Sequence, residues 1–489
     1  MPKHVVIIGG GIAGLATAIQ LKDRTAAIPE ELKVTVLEAD AHLGGNIHSD
    51  HCDGFTIERG PNGYLDNVPA MARLVERLGL SSEIQKADDS AAKRFLYRNG
   101  RLHALPTGPL SFLKSRVLSP RGRLRLLLEP FARARPESVD ETIHEFASRR
   151  IGPEAAEILI DAMISGVFAG NTRELSLASA LPKMAAMETE HGSLFRAMLA
   201  KKKQHAQGTD GEARPGGPAG PGGILTSFRP GLGVLIDSLE HALKGAIRHA
   251  HRVTAIEPID ATGSTEPVAG VSRWRTVSAG GETLEADAVV LAIPSAAAAP
   301  LLRPVDQVLG ETAGQIPSAG VAVVALGFDA PTIGGPPDGF GFLVPRNEGL
   351  RILGCLWDSS IFPGRAPTGQ VLLRLIVGGA HDRLAAELDD ESLLAIVRED
   401  AHKTMGLDAS PILTRIYRHR LGIAQYVRGH QQRLDKIHEH LHKHSGLWIA
   451  GSSYYGISMN ACVEQAEHQA EEILTSLGLS PQAQASIVR

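Results

Sequence analysis

Three glycines near the amino end, Gly9, Gly11 and Gly14, stand between a β-branched run, HVVIIG (4–9), and a segment of helical periodicity over residues 12–23. A continuous apolar run ended by glycine suits a parallel strand covered on both faces. With LKVTVLEA (32–39) as a second strand, the segment reads as one βαβ unit with a right-handed crossover. In such a unit Gly9 permits the tight turn, Gly11 lets backbone approach a diphosphate, and Gly14 lets helix and strand close. The helix N-terminus adds converging amides and a favourable dipole. Glu38, 24 residues beyond Gly14 at the end of the second strand, can accept both hydroxyls of an adenosine ribose. The same acid would repel a ribose phosphate, which disfavours NADP and leaves FAD and NAD equally allowed. A glycine-rich turn without a ligand is the plainer alternative, and the complete context of strand, turn, helix and acid argues against it.

The chain has 489 residues, so two or three packed domains are expected. Its 50 Lys plus Arg against 54 Asp plus Glu give a formal charge of -4, and no global electrostatic attraction to nucleic acid. Cys52, Cys355 and Cys462 lie far apart and form no CxxC pair, which argues against a disulfide framework, a zinc ribbon and a dithiol centre and suits a reducing cytosol. The first strand starts at His4, leaving no room for a signal or transit peptide, and no run of 18 apolar residues exists to span a bilayer.

Residues 94–200 are mostly helical in pattern, with Ser138 as the expected cap of a helix carrying Val139, Ile143, Phe146 and Ala147. Residues 201–223 hold seven Gly and three Pro and no Val, Ile, Leu or Phe, which predicts a mobile loop. Beyond it come a helix over 231–243 and strands at 252–256, 273–277 and 286–294. A strand-rich stretch over 318–379 follows, and then a closing strand, turn and helix over 447–477 carrying Val463, Ala466, Ala470, Ile473 and Leu477. The expected fold is therefore α/β: a Rossmann-type dinucleotide-binding domain assembled from discontinuous segments (1–90, 225–300 and 420–489), a helical domain (91–200), the loop 201–223, and a mixed α+β domain (301–419).

The residues after Glu38, Ala-Asp-Ala-His-Leu-Gly-Gly45, resemble the extension seen in the flavoprotein group that contains amine oxidases, phytoene desaturases and porphyrinogen oxidases. The resemblance then narrows to the protoporphyrinogen/coproporphyrinogen oxidases and covers nearly the whole chain. It rests on VVIIGGGIAGL (5–15), LGGNIHS (43–49), IERGPNGYL (57–65), RFLYRNGRLHALPTGP (94–109), ISGVFAGNTRELSLASALPKM (164–184), SFRPGLGVLIDSL (227–239), ADAVVLAIPS (286–295), GFGFLVP (339–345), AQYVRGH (424–430) and LWIAGSSYYGISMNACVE (447–464).

That resemblance implies a flavin-linked removal of six electrons from a porphyrinogen, two at a time, with dioxygen reoxidising the flavin and yielding hydrogen peroxide. Such a reaction asks the protein chiefly to position the macrocycle against the flavin and to exclude side reactions. No acid–base or nucleophilic side chain is assigned as catalytic, and no metal is expected.

The implied FAD contacts are Gly9, Gly10, Gly11, Ile12, Ala13, Gly14, Glu38, Ala39, Gly45, Asn46, Gly60, Pro61, Asn62, Gly63, Val253, Ser452, Ile457, Ser458 and Met459. The last three open the final helix, whose amides can stabilise negative charge on a reduced flavin. For Val253 and Met459 core packing is the competing reading. Arg94 matches a position expected to meet a propionate, a carboxylate that guanidinium suits; an exposed, solvated arginine is the bland alternative. Phe340, Leu343 and Ile376 align with the apolar walls around the macrocycle, and Gly166 with a backbone carbonyl facing it.

Three departures touch this transfer: Asn62 stands where animal and plant members carry arginine, Ala424 replaces a proline before Gln425-Tyr426, and Ala461 replaces an acid after Asn460. Residues 114–135 hold seven basic residues and one acid, able to meet anionic lipid headgroups, substrate propionates or only water. The histidines of HEHLHKH (438–444) alternate singly, a spacing expected to splay them around a helix instead of gathering metal ligands. The competing functions are another amine oxidase-group flavoenzyme or a non-catalytic binder of the GDP-dissociation-inhibitor kind. Six Tyr and three Trp in the whole chain give little material for the paired aromatics of the former. The substrate side chains, a homodimer and the electron acceptor are left open by the sequence.

Overall fold

A computed structural model describes residues 2–106, 115–133, 135, 139–206, 222–259 and 273–479. Residues 107–109 of the motif ending in LPTGP, Lys114 of the basic stretch, Ser138 and most of the expected loop, 207–221, lie outside the described residues.

Alternate residues of a strand face opposite ways, and the first strand, Lys3–Ile8, shows how a continuous apolar run uses both faces. Val5 and Ile7 join a core with the helices Ile12–Arg24, Gly233–Ala242 and Met459–Ser476. Val6 and Ile8 join a second core on the opposite face with Trp274 and Leu302. This strand lies at the centre of a five-stranded parallel sheet in the order Ile247–Arg248, Leu32–Leu37, Lys3–Ile8, Ala288–Leu291, Leu447–Ile449. Connections run outward in both directions from the central pair, so a crevice opens past the carboxyl ends of Lys3–Ile8 and Ala288–Leu291.

A seven-stranded sheet forms the second body, in the order Leu413–Ala424, Ser318–Asp329, Gln370–Gly378, Ile352–Leu356, Gly341–Leu343, Arg94–Arg98, Arg101–Ala104. The last two strands correct the helical reading of residues 94–104: Arg94–Arg98 pairs in parallel with Gly341–Leu343, a partner far away in sequence. One face of this sheet packs on the helix Asp390–Met405 through Phe342, Cys355, Leu375 and Val377. The opposite face is covered by helices, Asp161–Phe168 among them.

The helical layer over it begins at Ile143, where Thr142 caps the helix and Glu145 reaches back to the Thr142 amide. This capping box replaces the expected cap at Ser138, because it satisfies two orphan amides at once. The helix Leu194–Ala206 also runs into the glycine-rich insert, so the helical backbone ends later than Lys201. No helix among the described residues is long and apolar enough to cross a membrane, and the three cysteines are free.

Candidate active site

The dinucleotide turn is shaped by what its glycines cannot carry. Gly9 has φ +112°, and a Cβ there would lie 2.6 Å from the Ala292 carbonyl; at Gly14 it would lie 2.1 Å from the Gly9 carbonyl. A Cβ at Gly10 would fall 2.4 Å from Leu43. Gly11 differs: a Cβ there meets nothing within 4 Å, so the space before the helix N-terminus is open. Ile12 and Ala13 are buried at the start of that helix, whose N-cap Gly11 offers no side chain to its first amides. Open space beside uncapped amides is what a diphosphate requires, and the turn fits FAD on this ground.

Glu38 follows the strand Leu32–Leu37 and is anchored by both oxygens, Oε2 to the Gly10 amide at 2.7 Å and Oε1 to the Asp40 amide at 2.8 Å. Ala39 is half-buried beside it. The Glu38 carbonyl accepts from His251 N (2.6 Å), which puts Val253, two residues on and at a register shift in its strand, near the same end of the crevice. Gly44 bridges to Gly11, and a Cβ at Gly45 would lie 3.7 Å from the Gly11 Cα. From the carboxyl end, Gly451 returns beside Ala13, with its Cβ position 3.6 Å from the Ala13 methyl. Ser458 Oγ caps the final helix by accepting from Ala461 N at 3.1 Å, and Met459 is buried in the core.

A second group of expected residues converges around the helix Asp161–Phe168. A Cβ at Gly166 would lie 2.4 Å from Leu343 Cδ2. Ile457 packs against the cluster containing Ile164 and Phe168, and Ile376 against the cluster of Ala169, Ala319 and Val321. Cross-strand register sets Leu96, Leu343, Gly354, Ile376 and Val323 in one row of the seven-stranded sheet. The next row on that face is Arg94, Gly341, Leu356, Arg374 and Ala325. Gly341, at φ +127°, breaks the alternation and brings Phe340 to the side of Leu356. The Arg94 guanidinium carbon lies 4.9 Å from the Phe340 ring centre. It has no carboxylate partner among the described residues, and burial lowers its pKa from the ordinary arginine value. The Gly166 carbonyl, in the last turn of its helix, receives no hydrogen bond from the described residues.

Between the two groups lies a device that was not picked out from the sequence. Arg374, buried in the strand Gln370–Gly378, pairs with Asp358 and donates from Nη1 to the Glu58 carbonyl (2.7 Å) and the Gly60 carbonyl (3.0 Å). His419 Nε2 lies 2.7 Å from the carbonyl of the intervening Arg59, and its Nδ1 lies 3.2 Å from Asn46 Oδ1. Three successive carbonyls are thus held by the seven-stranded sheet. The Glu58 carboxylate faces Arg365 at 3.1 Å. Burial pushes the Glu58 and Asp358 carboxyls up, and the facing arginines oppose it.

The segment they hold carries Gly60, Pro61, Asn62 and Gly63. A Cβ at Gly60 would lie 2.2 Å from the Asn46 carbonyl and one at Gly63 2.5 Å from that of Thr226, so the loop is pressed onto its neighbours. Asn62 Nδ2 is buried without an acceptor among the described residues. The signal for Arg374 was present: a lone charge inside VLLRLIVG needs a buried partner.

The histidine run is not evenly splayed. His440 Nδ1, in the last turn of the helix His430–Leu441, and His444 Nε2, in the turn beyond its end, both meet Asp306 Oδ2, at 2.7 and 3.2 Å. His438 instead meets Tyr455 Oη at 2.9 Å.

Comparisons with known proteins agree with this geometry. The family model described as flavin containing amine oxidoreductase matches residues 12–474. Coproporphyrinogen III oxidase of Bacillus subtilis (strain 168) is 31% identical over 484 residues, spanning 97% of this chain and 98% of that protein. Protoporphyrinogen oxidase of Homo sapiens is 33% identical over 492 residues, spanning 97% and 99%. A crystal structure from Exiguobacterium sp. 255-15, provisionally assigned as a protoporphyrinogen oxidase, superposes with a TM-score of 0.81 at 29% identity, covering 98% of this chain and 99% of that one.

Proposed function

Because this chain belongs to the flavin-containing amine oxidoreductases, within the protoporphyrinogen and coproporphyrinogen oxidase family, we propose that it oxidises coproporphyrinogen III or protoporphyrinogen IX to the porphyrin in haem biosynthesis, with dioxygen as acceptor and hydrogen peroxide as by-product. The chain is an FAD-linked oxidoreductase. Bound FAD supplies hydride acceptance, two electrons at a time, and reoxidation by dioxygen.

The observation that carries the reading is Arg94, a half-buried cation without a carboxylate, set at one end of an apolar floor. A propionate of the macrocycle completes it through charge-assisted hydrogen bonds. Phe340, Leu343 and Ile376 supply flat and branched apolar contact to the ring and keep water from it. The Gly166 carbonyl, open at a helix C-terminus with its negative partial charge, accepts a pyrrole N–H. Gly9 to Gly14 and Glu38 hold the diphosphate and ribose of FAD, while Gly45, Asn46, Gly60 to Gly63 and Ser452 to Met459 enclose its flavin end. The substrate sheds nitrogen-bound protons readily once hydride has left, so a general base on this face is not required.

In and just after the helix Pro120–Leu127, Leu124, Leu127, Leu128 and Phe131 are exposed, Phe131 to 81%, beside Arg121 and Arg133 in sequence. An apolar ridge flanked by cations supports peripheral contact with an anionic membrane face from the cytoplasm.

The test is direct. Purified chain with FAD is expected to convert colourless coproporphyrinogen III to fluorescent porphyrin while consuming dioxygen, whereas Gly11→Val, which fills the diphosphate space, neither holds FAD nor turns over. Fluorescence rising no faster than in the enzyme-free mixture would contradict the reading. Parallel assays with protoporphyrinogen IX decide between the two substrates.

A further inference from the structure

The extended dipeptide Gln425–Tyr426 reaches two different parts of the site with its two side chains. Its backbone is fixed first: Gln425 N donates to the Pro317 carbonyl at 2.8 Å, and the Tyr426 carbonyl accepts from Ser176 N at 2.8 Å. Gln425 Nε2 then donates to the Phe168 carbonyl (2.8 Å) and the Ile423 carbonyl (3.1 Å). Phe168 ends the helix that carries Gly166, and the next residue, Ala169, holds a left-handed φ of +47°. Such a conformation costs a residue with a side chain about 1 kcal/mol and persists only where neighbours enforce it. The Gln425 amide on one side and Ala380 N on the Ala169 carbonyl (2.7 Å) on the other supply that enforcement.

Tyr426 faces the carboxyl-terminal loop. Its hydroxyl donates to the Ser452 carbonyl at 2.6 Å and accepts from Gly456 N at 2.8 Å, spanning the segment that leads to Ile457 and Ser458. The ring stacks on His430, centroids 4.0 Å apart and planes 14° from parallel. Both His430 nitrogens are buried without a hydrogen-bond partner, and burial pushes its pKa down to about 4, so a neutral flat ring backs the tyrosine at physiological pH.

We propose that Gln425 and Tyr426 are paired positioning residues: Gln425 sets the helix end that presents Gly166 to the substrate, and Tyr426 sets the Ser452–Gly456 loop against FAD. This rests on the site assignment given under the proposed function, and the two can be told apart. Neither side chain touches substrate or cofactor in this account, so each acts on one binding constant and not on the other. Losing a hydroxyl that makes two short hydrogen bonds, or an amide that makes two, corresponds to about a tenfold change in the constant it controls.

The experiment uses full-length protein. Tyr426→Phe keeps the ring and its stack, and Gln425→Met keeps the length without the donor. FAD affinity is measured by fluorescence titration of apoprotein, and affinity of the FAD-loaded protein for coproporphyrin III, the aromatic product, by porphyrin fluorescence. Tyr426→Phe is expected to weaken FAD about tenfold and leave porphyrin unchanged; Gln425→Met is expected to do the reverse. Should Gln425→Met fail to fold, Gln425→Leu, of similar volume and also without the donor, carries the same test. Equal losses in both constants, or no loss in either, overturn the pairing while leaving the site assignment intact. A wild-type chain that binds no FAD overturns both.

Discussion

Arg94 and Arg374 stand in one row of one sheet, separated by Gly341 and Leu356, yet their surroundings are opposites. Arg374 has no exposed side-chain surface, a carboxylate partner in Asp358 and two carbonyl acceptors. Arg94 lies over the face of Phe340 and has no carboxylate partner among the described residues. A fully buried charge must find its counter-charge within the protein, because leaving it unpaired costs several kcal/mol. A half-buried one can wait for a ligand to bring it. The same side chain is thus architecture at the centre of the sheet and, in the proposed function, recognition near its edge, and the difference lies in whether the fold itself provides the acceptors.

Removing the central arginine should have the larger consequence. Arg374→Met strands Asp358 and releases the Glu58 and Gly60 carbonyls, with an expected loss of about 3–5 kcal/mol in denaturant unfolding. Combining it with Asp358→Leu should recover a large part of that loss, since two apolar side chains then replace the pair. A double variant as unstable as the single one would break the argument that charge balance, and not shape, explains Arg374.

At the edge the expectation reverses. Arg94→Ala should leave unfolding within about 0.5 kcal/mol of the parent, as substitutions outside packed networks do, and should raise the KM for porphyrinogen by about ten- to a hundredfold, the loss of about 1.5–3 kcal/mol of charge-assisted hydrogen bonding. Arg94→Lys sharpens the point: it keeps the charge but not the planar fork, so a smaller rise in KM, about three- to tenfold, is expected. A fall in stability with unchanged KM would make Arg94 another structural cation.

The first strand, the glycine turn and the helix after it were legible because local signals coincide there: a β-branched run, a turn that only glycine can make, and an apolar stripe. Lys3–Ile8 and Ile12–Arg24 accordingly fall within a residue of expectation. Arg94–Arg98 was illegible for the opposite reason, since its strand character depends on a parallel partner at Gly341–Leu343 that no local pattern reveals. Thr142 is an intermediate case. The signature Thr142-Ile-His-Glu145 carries a capping box, whereas the expectation of Ser138 follows only from its place before the apolar positions. The flavoprotein group and FAD could be read from residues 38–45 by resemblance, whereas the triple carbonyl clamp by Arg374 and His419 joins segments more than 300 residues apart and needs coordinates to be seen.

FAD-loaded protein mixed with coproporphyrinogen III under strict exclusion of dioxygen should lose the absorbance of oxidised flavin as substrate is consumed, and readmitted dioxygen should restore it together with hydrogen peroxide. Flavin absorbance that stays constant through the anaerobic phase, with substrate present in excess, would contradict the claim that this site passes hydride from a porphyrinogen to FAD.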